Sequence, residues 1–172
     1  MGASFDPGLA VNAIVTLLSA NITIKLASVQ ASSEYGDSIT LDTIKTYYRA
    51  MPGIPDLWPW IAVYPNGPQD IHDQLSGYNL RGHRLEVLHS QIAMSALGSY
   101  TILETMQKRL ERTERSIEEV LQTGRTLTVS GANKASIDLI GPATWLPYDS
   151  IGEGDNTRVF RTVRLPIRVI VK

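Results

Sequence analysis

Three histidines, His72, His83 and His89, are the residues of this 172-residue chain best suited to acid–base chemistry or metal ligation. His72-Asp73, with Asp70 just before, imitates the corner of a metal site. It lies in a polar stretch that reads as an exposed loop, and no third or fourth ligand follows at a recognisable spacing. His83 and His89 share parity on one strand but stand roughly 20 Å apart at strand rise, too far for one metal. There is no cysteine, which excludes disulfide scaffolds, thiolate zinc sites, iron–sulfur clusters and cysteine nucleophiles together. G-x-S-x-G, Walker A, H-E-x-x-H and S-x-x-K patterns do not occur. Gly152-Glu153-Gly154 has the glycines of a phosphate loop, but a strand rather than a helix N-terminus follows it. The residues therefore point to no catalytic centre, no cofactor and no metal.

Two non-catalytic features remain. Trp58-Pro59-Trp60, with Tyr47, Tyr48 and Tyr64, forms an aromatic cluster around a proline-rich approach. It suits stacking on a base or peptide, or packing at a sheet end or subunit contact. The second feature is the C-terminal segment 157–172, which carries Arg158, Arg161, Arg164, Arg168 and Lys172 and no acid. Arg164, Arg168 and Lys172 fall on its more polar face at four-residue spacing. Such a strip either keeps an edge strand from aggregating or meets an acidic partner or phosphates. Trp58, Trp60 and the five basic residues are the candidate partner or channel contacts.

These residues have to be positioned by a small number of elements. Asp6-Pro7 is a helix start, and Ala10, Ile14, Leu17, Leu18, Ile22, Leu26 and Val29 follow at a near-3.6 period, predicting one long helix. Asn21–Leu26 also alternates like a strand, a competing local reading. Thr40–Ala50 reads as a short second helix ending before Met51-Pro52-Gly53-Ile54-Pro55. Trp60–Tyr64 is a strand. Residues 69–82 read as a loop, and Arg84–Ala96 as a strand whose alternation shifts near Ser90-Gln91 and calls for a bulge. From Ser99 to Thr123, Leu103, Met106, Leu110, Thr113, Ile117, Val120 and Leu121 make an apolar stripe. The other face holds Glu104, Lys108, Arg109, Glu111, Arg112, Glu114, Arg115, Glu118 and Glu119, with Glu104–Lys108 and Glu111–Arg115 as i,i+4 pairs. Gly124 is the stop. Short strands follow around Leu127–Val129 and Ser136–Ile140. The last segment, Thr157–Lys172, is a long strand, placed at an edge or bulged because Pro166 removes a ladder donor.

With 16 basic and 17 acidic residues the net charge is −1, which excludes a polycation that coats nucleic acid and an acidic tail. The 43% hydrophobic fraction against 19% charged excludes a disordered chain. The apolar segment Leu9–Val29 carries too many polar residues for a bilayer centre and lacks a basic n-region, so neither a membrane span nor a signal peptide is expected. The expected architecture is one α+β domain over residues 1–172. A mixed, mainly antiparallel sheet of about four to five strands packs against a long N-terminal helix and a second, amphipathic helix.

In order and length this outline resembles the tail-terminator (tail-completion, or neck and head–tail joining) proteins of tailed bacteriophages. The residues that carry the likeness are Asp6–Val29, Ile54-Pro55 through Pro65, Arg84–Ala96, Leu103–Gly124 and Thr157–Lys172. The resemblance implies a non-enzymatic virion protein, assembled in the host cytoplasm, that forms a ring, usually a homohexamer. Such a ring caps the tail tube and joins it to the connector in the neck, with DNA passing through its channel and touched only transiently and non-specifically. The partners so implied are further copies of the chain, the tube protein and the connector, and no membrane. Segments 30–38, 65–82 and 150–156 are the candidate contacts with tube and connector. Alternatives are a neck adaptor or tube subunit, a small DNA- or peptide-binding module, and a hydrolase with scattered site residues.

Overall fold

The N-terminal helix starts where the sequence requires it. In the computed structural model, which describes residues 6–66, 71–73, 80–93, 100–130, 133–153 and 157–171, helix α1 spans Pro7–Gln30. Asp6 is extended and its carboxylate accepts from the Gly8 N–H at 2.8 Å, with Pro7 at the first helical position. The helix is continuous through Asn21–Leu26. Ile22 and Leu26 join Ala10, Ile14 and Leu18 on the buried stripe, while Ile24 stands exposed, so the local alternation makes no strand.

The remaining elements are β1 (Thr46–Tyr48), β2 (Trp60–Pro65), β3 (Ile71–Asp73), β4 (Leu80–Ile92), α2 (Tyr100–Thr123), β5 (Thr126–Ser130), β6 (Asn133–Ile140), β7 (Thr144–Trp145), β8 (Asp149–Ile151) and β9 (Arg158–Val171). They form one sheet in the order β1-β2-β4-β9-β6-β5, with β3 on β4 and with β7 and β8 on β9. Only β1–β2 is parallel. This is the expected α+β class; the short strands β1, β3, β7 and β8 extend the sheet beyond the strands legible as periodic runs. One face, here the inner face, carries Ile61, Val63, Leu85, Val87, Leu165, Ile167 and Val169, which pack with Ile14, Leu18 and Ile22 of α1 and with Ile117 and Leu121 of α2.

Four local expectations are overturned, each for a physical reason. Thr40–Ala50 is not a helix. The Lys45 N–H donates to Pro59 O at 2.8 Å and Thr46–Tyr48 pairs with Trp60–Ala62, so Tyr47 points inward and Tyr48 outward, each into its own aromatic or apolar neighbours. Within 69–82, residues 71–73 and 80–82 pair with one another as strands, and the rest lies outside the described residues. No bulge interrupts β4, whose register with β9 runs unbroken from Gly82↔Ile170 to Ile92↔Phe160. The shift in its alternation arises because the strand is buried on both faces there: Leu85, Val87 and His89 face the helices, and Leu88 packs outward with Trp60 and Ala62.

The fourth concerns β9, which is central rather than an edge. β4 pairs with it on one side, and β6, β7 and β8 follow one another on the other. Pro166 O accepts from Gly141 N at 2.8 Å, so the proline nitrogen also faces that second side. Gly141-Pro142-Ala143 separates β6 from β7 there, and the absent N–H falls in the gap between two partner strands. Anti-aggregation charge on an edge therefore does not explain the arginines of β9.

The charged face of α2 binds the chain that leaves α1. Arg115, Arg112 and Arg109, one turn apart, pair with Glu34 (3.0 Å), Asp37 and Asp42 (2.9 Å), so this segment runs antiparallel along the helix. Arg112 also lies 4.0 Å over the Tyr35 ring, and its hydrogen bond holds the Asp37 carboxyl below the usual carboxylate range. Glu104–Lys108 forms as expected at 2.8 Å, but Arg115 turns to Glu119 instead of Glu111. Arg112 and Glu114, expected in solvent, are both buried.

Gly124 ends α2 as expected, by a different mechanism. Among the described glycines positive φ is confined to Gly36 and Gly152, and the Gly124 N–H still closes a helical bond to Val120 O at 2.9 Å. What favours glycine is space: a Cβ there would meet the Leu17 methyl groups of α1, and that half-buried side chain would have to turn aside. Gly124→Ala is expected to lower the unfolding free energy by about 1 kcal/mol in urea titrations. Combined with Leu17→Ala it should cost at least ~0.5 kcal/mol less than the two single changes together. Strictly additive costs would show that the overlap is not the cause.

Candidate functional site

A groove crosses the outer face of the sheet at the end where β2 and β9 carry their aromatic residues. Its floor is Trp58, Trp60, Phe160 and Thr162. One wall is Met51-Pro52-Gly53-Ile54-Pro55 and the other Leu146 to Ile151, enclosing about 520 Å³. The aromatic cluster expected from the sequence forms here in part, without Tyr47, which lies on the inner face, and with Phe160 added: ring centroids are 5.8 Å apart for Trp58–Trp60, 5.0 Å for Trp58–Phe160 and 6.1 Å for Tyr48–Trp60. The Trp58 indole donates to Pro55 O at 3.2 Å. The Trp60 indole, although buried, has no acceptor among the described residues. Met51 (58%), Ile54 (77%) and Tyr148 (47%) remain exposed on the walls, with Leu57 (56%) in the same segment as the first two. Solvent-facing apolar side chains of that size around a concave, aromatic floor are the usual features of a protein-binding surface.

The basic residues of β9 do not act as one strip. Arg158 is exposed on the outer face, opposite Ile151 at the groove end. Arg161 points to the inner face, where it donates to Leu146 O (2.9 Å) and Gln107 Oε1 (2.7 Å) and lies over the Trp145 and Tyr148 rings. It ties the groove wall to α2. Arg164 and Arg168 share the outer face, as their spacing demands, but each has an intramolecular counter-ion. Arg164 lies 3.2 Å from Glu86, and Arg168 Nε donates to Asp138 at 2.7 Å. Lys172 lies outside the described residues.

Glu86 is the polar hub of this face. It is buried, and its two oxygens accept from the Tyr64 hydroxyl (2.7 Å) and the Asn66 amide while Arg164 approaches. Burial, followed by the bond to Glu86, pushes the Tyr64 hydroxyl up to about 12. Beyond the hub, Arg84 is exposed directly opposite Arg168 and forms no ion pair with a described residue. Leu139, 53% exposed, sits on the other side of Arg168. Arg84, Leu139, Pro142, Pro166 and Arg168 line a second depression there.

Of the histidines, His72 lies on β3 with Asp73, while Asp70 is outside the described residues. His83 is buried on the inner face opposite Val169. His89 is also buried, and its Nε2 lies 3.3 Å from Glu114 Oε2 across the β4–α2 contact. His89 Nδ1, Glu114 Oε1, Gln91 Nε2 and Thr113 Oγ1 have no partner among the described residues. Sequence reasoning dismissed both members of this pair, although the signal was present: His89 continues the buried parity of Leu85 and Val87, and Glu114 lies four residues after Leu110 and three before Ile117. Among the described residues no group of three or more His, Asp or Glu side chains could hold a metal.

No protein-family model matches the chain, and no curated protein matches it. Among solved structures, a chain from the virion of a native gene transfer agent particle aligns over 94% of this chain and 92% of its own length. The identity is 15% and the TM-score 0.42.

Two measurements check the polar contacts. In an alkaline absorbance titration one tyrosine should ionise near pH 12, well after the ordinary range around 10. Tyr64→Phe should remove that late step. The raised value means that this hydroxyl's contribution to stability is complete below pH ~10 and lost as pH rises through ~12. For the buried pair, His89→Ala or Glu114→Ala alone should destabilise by about 1–3 kcal/mol in urea melts. The double change to Leu at both positions should cost less than either single Ala variant.

Proposed function

We propose that this chain is a structural protein of a tailed-phage-like virion. It closes into a homohexameric ring that ends the tail tube and joins it to the head connector, leaving a channel for DNA. The observation that carries the reading is the outer face of the sheet. It presents an aromatic groove with exposed Met51, Ile54 and Tyr148 at one end and exposed Leu139 among arginines at the other. A surface of this kind suits standing contacts between proteins, and two unlike patches on one molecule suit an assembly that repeats. The order of elements supports the same reading. A long N-terminal helix, a strand entered through prolines, a long strand, one amphipathic helix and a long final strand are the outline on which the likeness to tail-terminator proteins rests.

Termination and polymerisation are separated by closure. A head-to-tail contact whose rotation closes gives a ring of fixed size, and one that does not gives a filament. Native mass spectrometry over a concentration series, with electron microscopy of the same samples, is expected to give one closed six-fold species with an open centre. Open-ended filaments would assign the chain to the tube instead, and a monomer at every concentration would overturn the assembly reading.

A further inference from the structure

The two ends of the outer face carry opposite charge as well as exposed apolar side chains. At the groove end the only charged lining residue is Asp149, and Asp56 follows the opposite wall. Both are exposed, and neither forms an ion pair with a described residue. At the other end Arg84 and Arg168 face each other directly across β4 and β9. Like charges so placed repel. Asp138 answers Arg168, and Arg84 has no counter-ion among the described residues. The two ends are separated along β9 by the run from Phe160 to Arg168, roughly 26 Å at strand rise.

Six large apolar side chains stand out as exposed among the described residues: Ile24, Met51, Ile54, Leu57, Leu139 and Tyr148. All but Ile24 belong to these two ends. Each end thus combines uncovered apolar surface with a net charge: Asp56 and Asp149 outnumber the exposed Arg158 at the groove, and Arg84 and Arg168 outnumber Asp138 at the other end.

The geometry points to a head-to-tail contact between copies of this chain: Arg84, Arg168 and Leu139 of one copy seat on the groove of the next, against Ile54, Tyr148, Asp149 and Asp56. The inference rests on the self-assembly proposed above and names the surfaces that make it. Because the two patches differ, every copy can be engaged at both ends, which is the condition for a ring. Charge sets the register of the contact, and the apolar pairs exclude water from it.

Reversing one charge at each end tests this. Asp149→Arg makes both ends basic, and Arg84→Asp makes both ends acidic. Each variant alone should need about ten-fold more protein than the wild type to assemble in 0.15 M salt, by native mass spectrometry or sedimentation velocity. An equimolar mixture should recover assembly, with the two variants incorporated in equal number, because each reversed end then meets its complement. Ile54→Asp, at an exposed position, should weaken assembly without recovery in either mixture. Thermal melts of each variant establish that the fold is retained. If the wild type assembles and the variants assemble equally well, or if the mixture recovers nothing, this interface is wrong and the ring reading stands. If the wild type remains monomeric at every concentration, both fall.

Discussion

Everything in this fold depends on a strand that must pair on both sides while lacking one donor. β9 supplies the centre of the sheet, with eleven consecutive registered positions against β4 on one side and three successive partners on the other. A proline in the middle of such a strand is tolerated only if its nitrogen meets no acceptor. The chain satisfies this by breaking the second ladder at Gly141-Pro142-Ala143, opposite Pro166. That break divides β6 from β7, after which the chain rejoins β9 at Thr144–Trp145 and Asp149–Ile151, and residues 146–151 form one wall of the aromatic groove. The arginines on either side of Pro166 are thus carried on the strand with the most partners in the sheet.

The inner face shows a second division. Toward α1 it is largely apolar, with Ile61, Val63, Leu85, Val87, Leu165 and Ile167 closing on Ile14, Leu18 and Ile22 and with His83 as a buried polar exception. Toward the beginning and middle of α2 it becomes polar: His89 meets Glu114 and Arg161 donates to Gln107, with Gln91 and Thr113 buried in the same region. Apolar burial stabilises without fixing one relative placement of two elements, whereas hydrogen-bonded side chains accept few placements. The polar contacts under α2 thus set where the helix lies on a sheet to which the apolar residues bind it.

What was legible in the sequence was legible through periodicity. Both helices and the long final strand each bury one regular face, the strand at Trp60–Tyr64 stands out as a short continuous apolar run buried on both sides, and the α+β class followed from their order. What escaped it was set by tertiary partners. Leu41, Ile44, Tyr47 and Tyr48 have helical spacing, yet the backbone there is claimed by Pro59 O and by Trp60–Ala62 of β2. Pro166 looked like an edge because a sequence shows the missing donor and not the gap it faces. Trp58 and Trp60 were brought together as their proximity suggested. Arg161, by contrast, has the parity of the inner face, and its bonds to Leu146 and Gln107 depend on residues distant in sequence. Arg84, which no pattern singled out, gains its interest only from lying across from Arg168.

The connection from α1 to β1 shows how differently parts of one small chain can respond to their surroundings. Its hold on α2 is a row of three carboxylates laid against three guanidinium groups, several of them partly in water, whereas the helices below are held by aliphatic contacts. Mobile ions weaken attraction between exposed charges over a Debye length of about 8 Å at physiological ionic strength, and leave apolar contacts intact. Ionic strength therefore acts on the more exposed Arg115–Glu34 and Arg109–Asp42 pairs at the two ends of the row, while buried Arg112 over Tyr35, and Leu41 in the core, keep the middle of the segment in place. Salt thus loosens this connection from its ends, with its centre anchored by contacts that mobile ions do not reach.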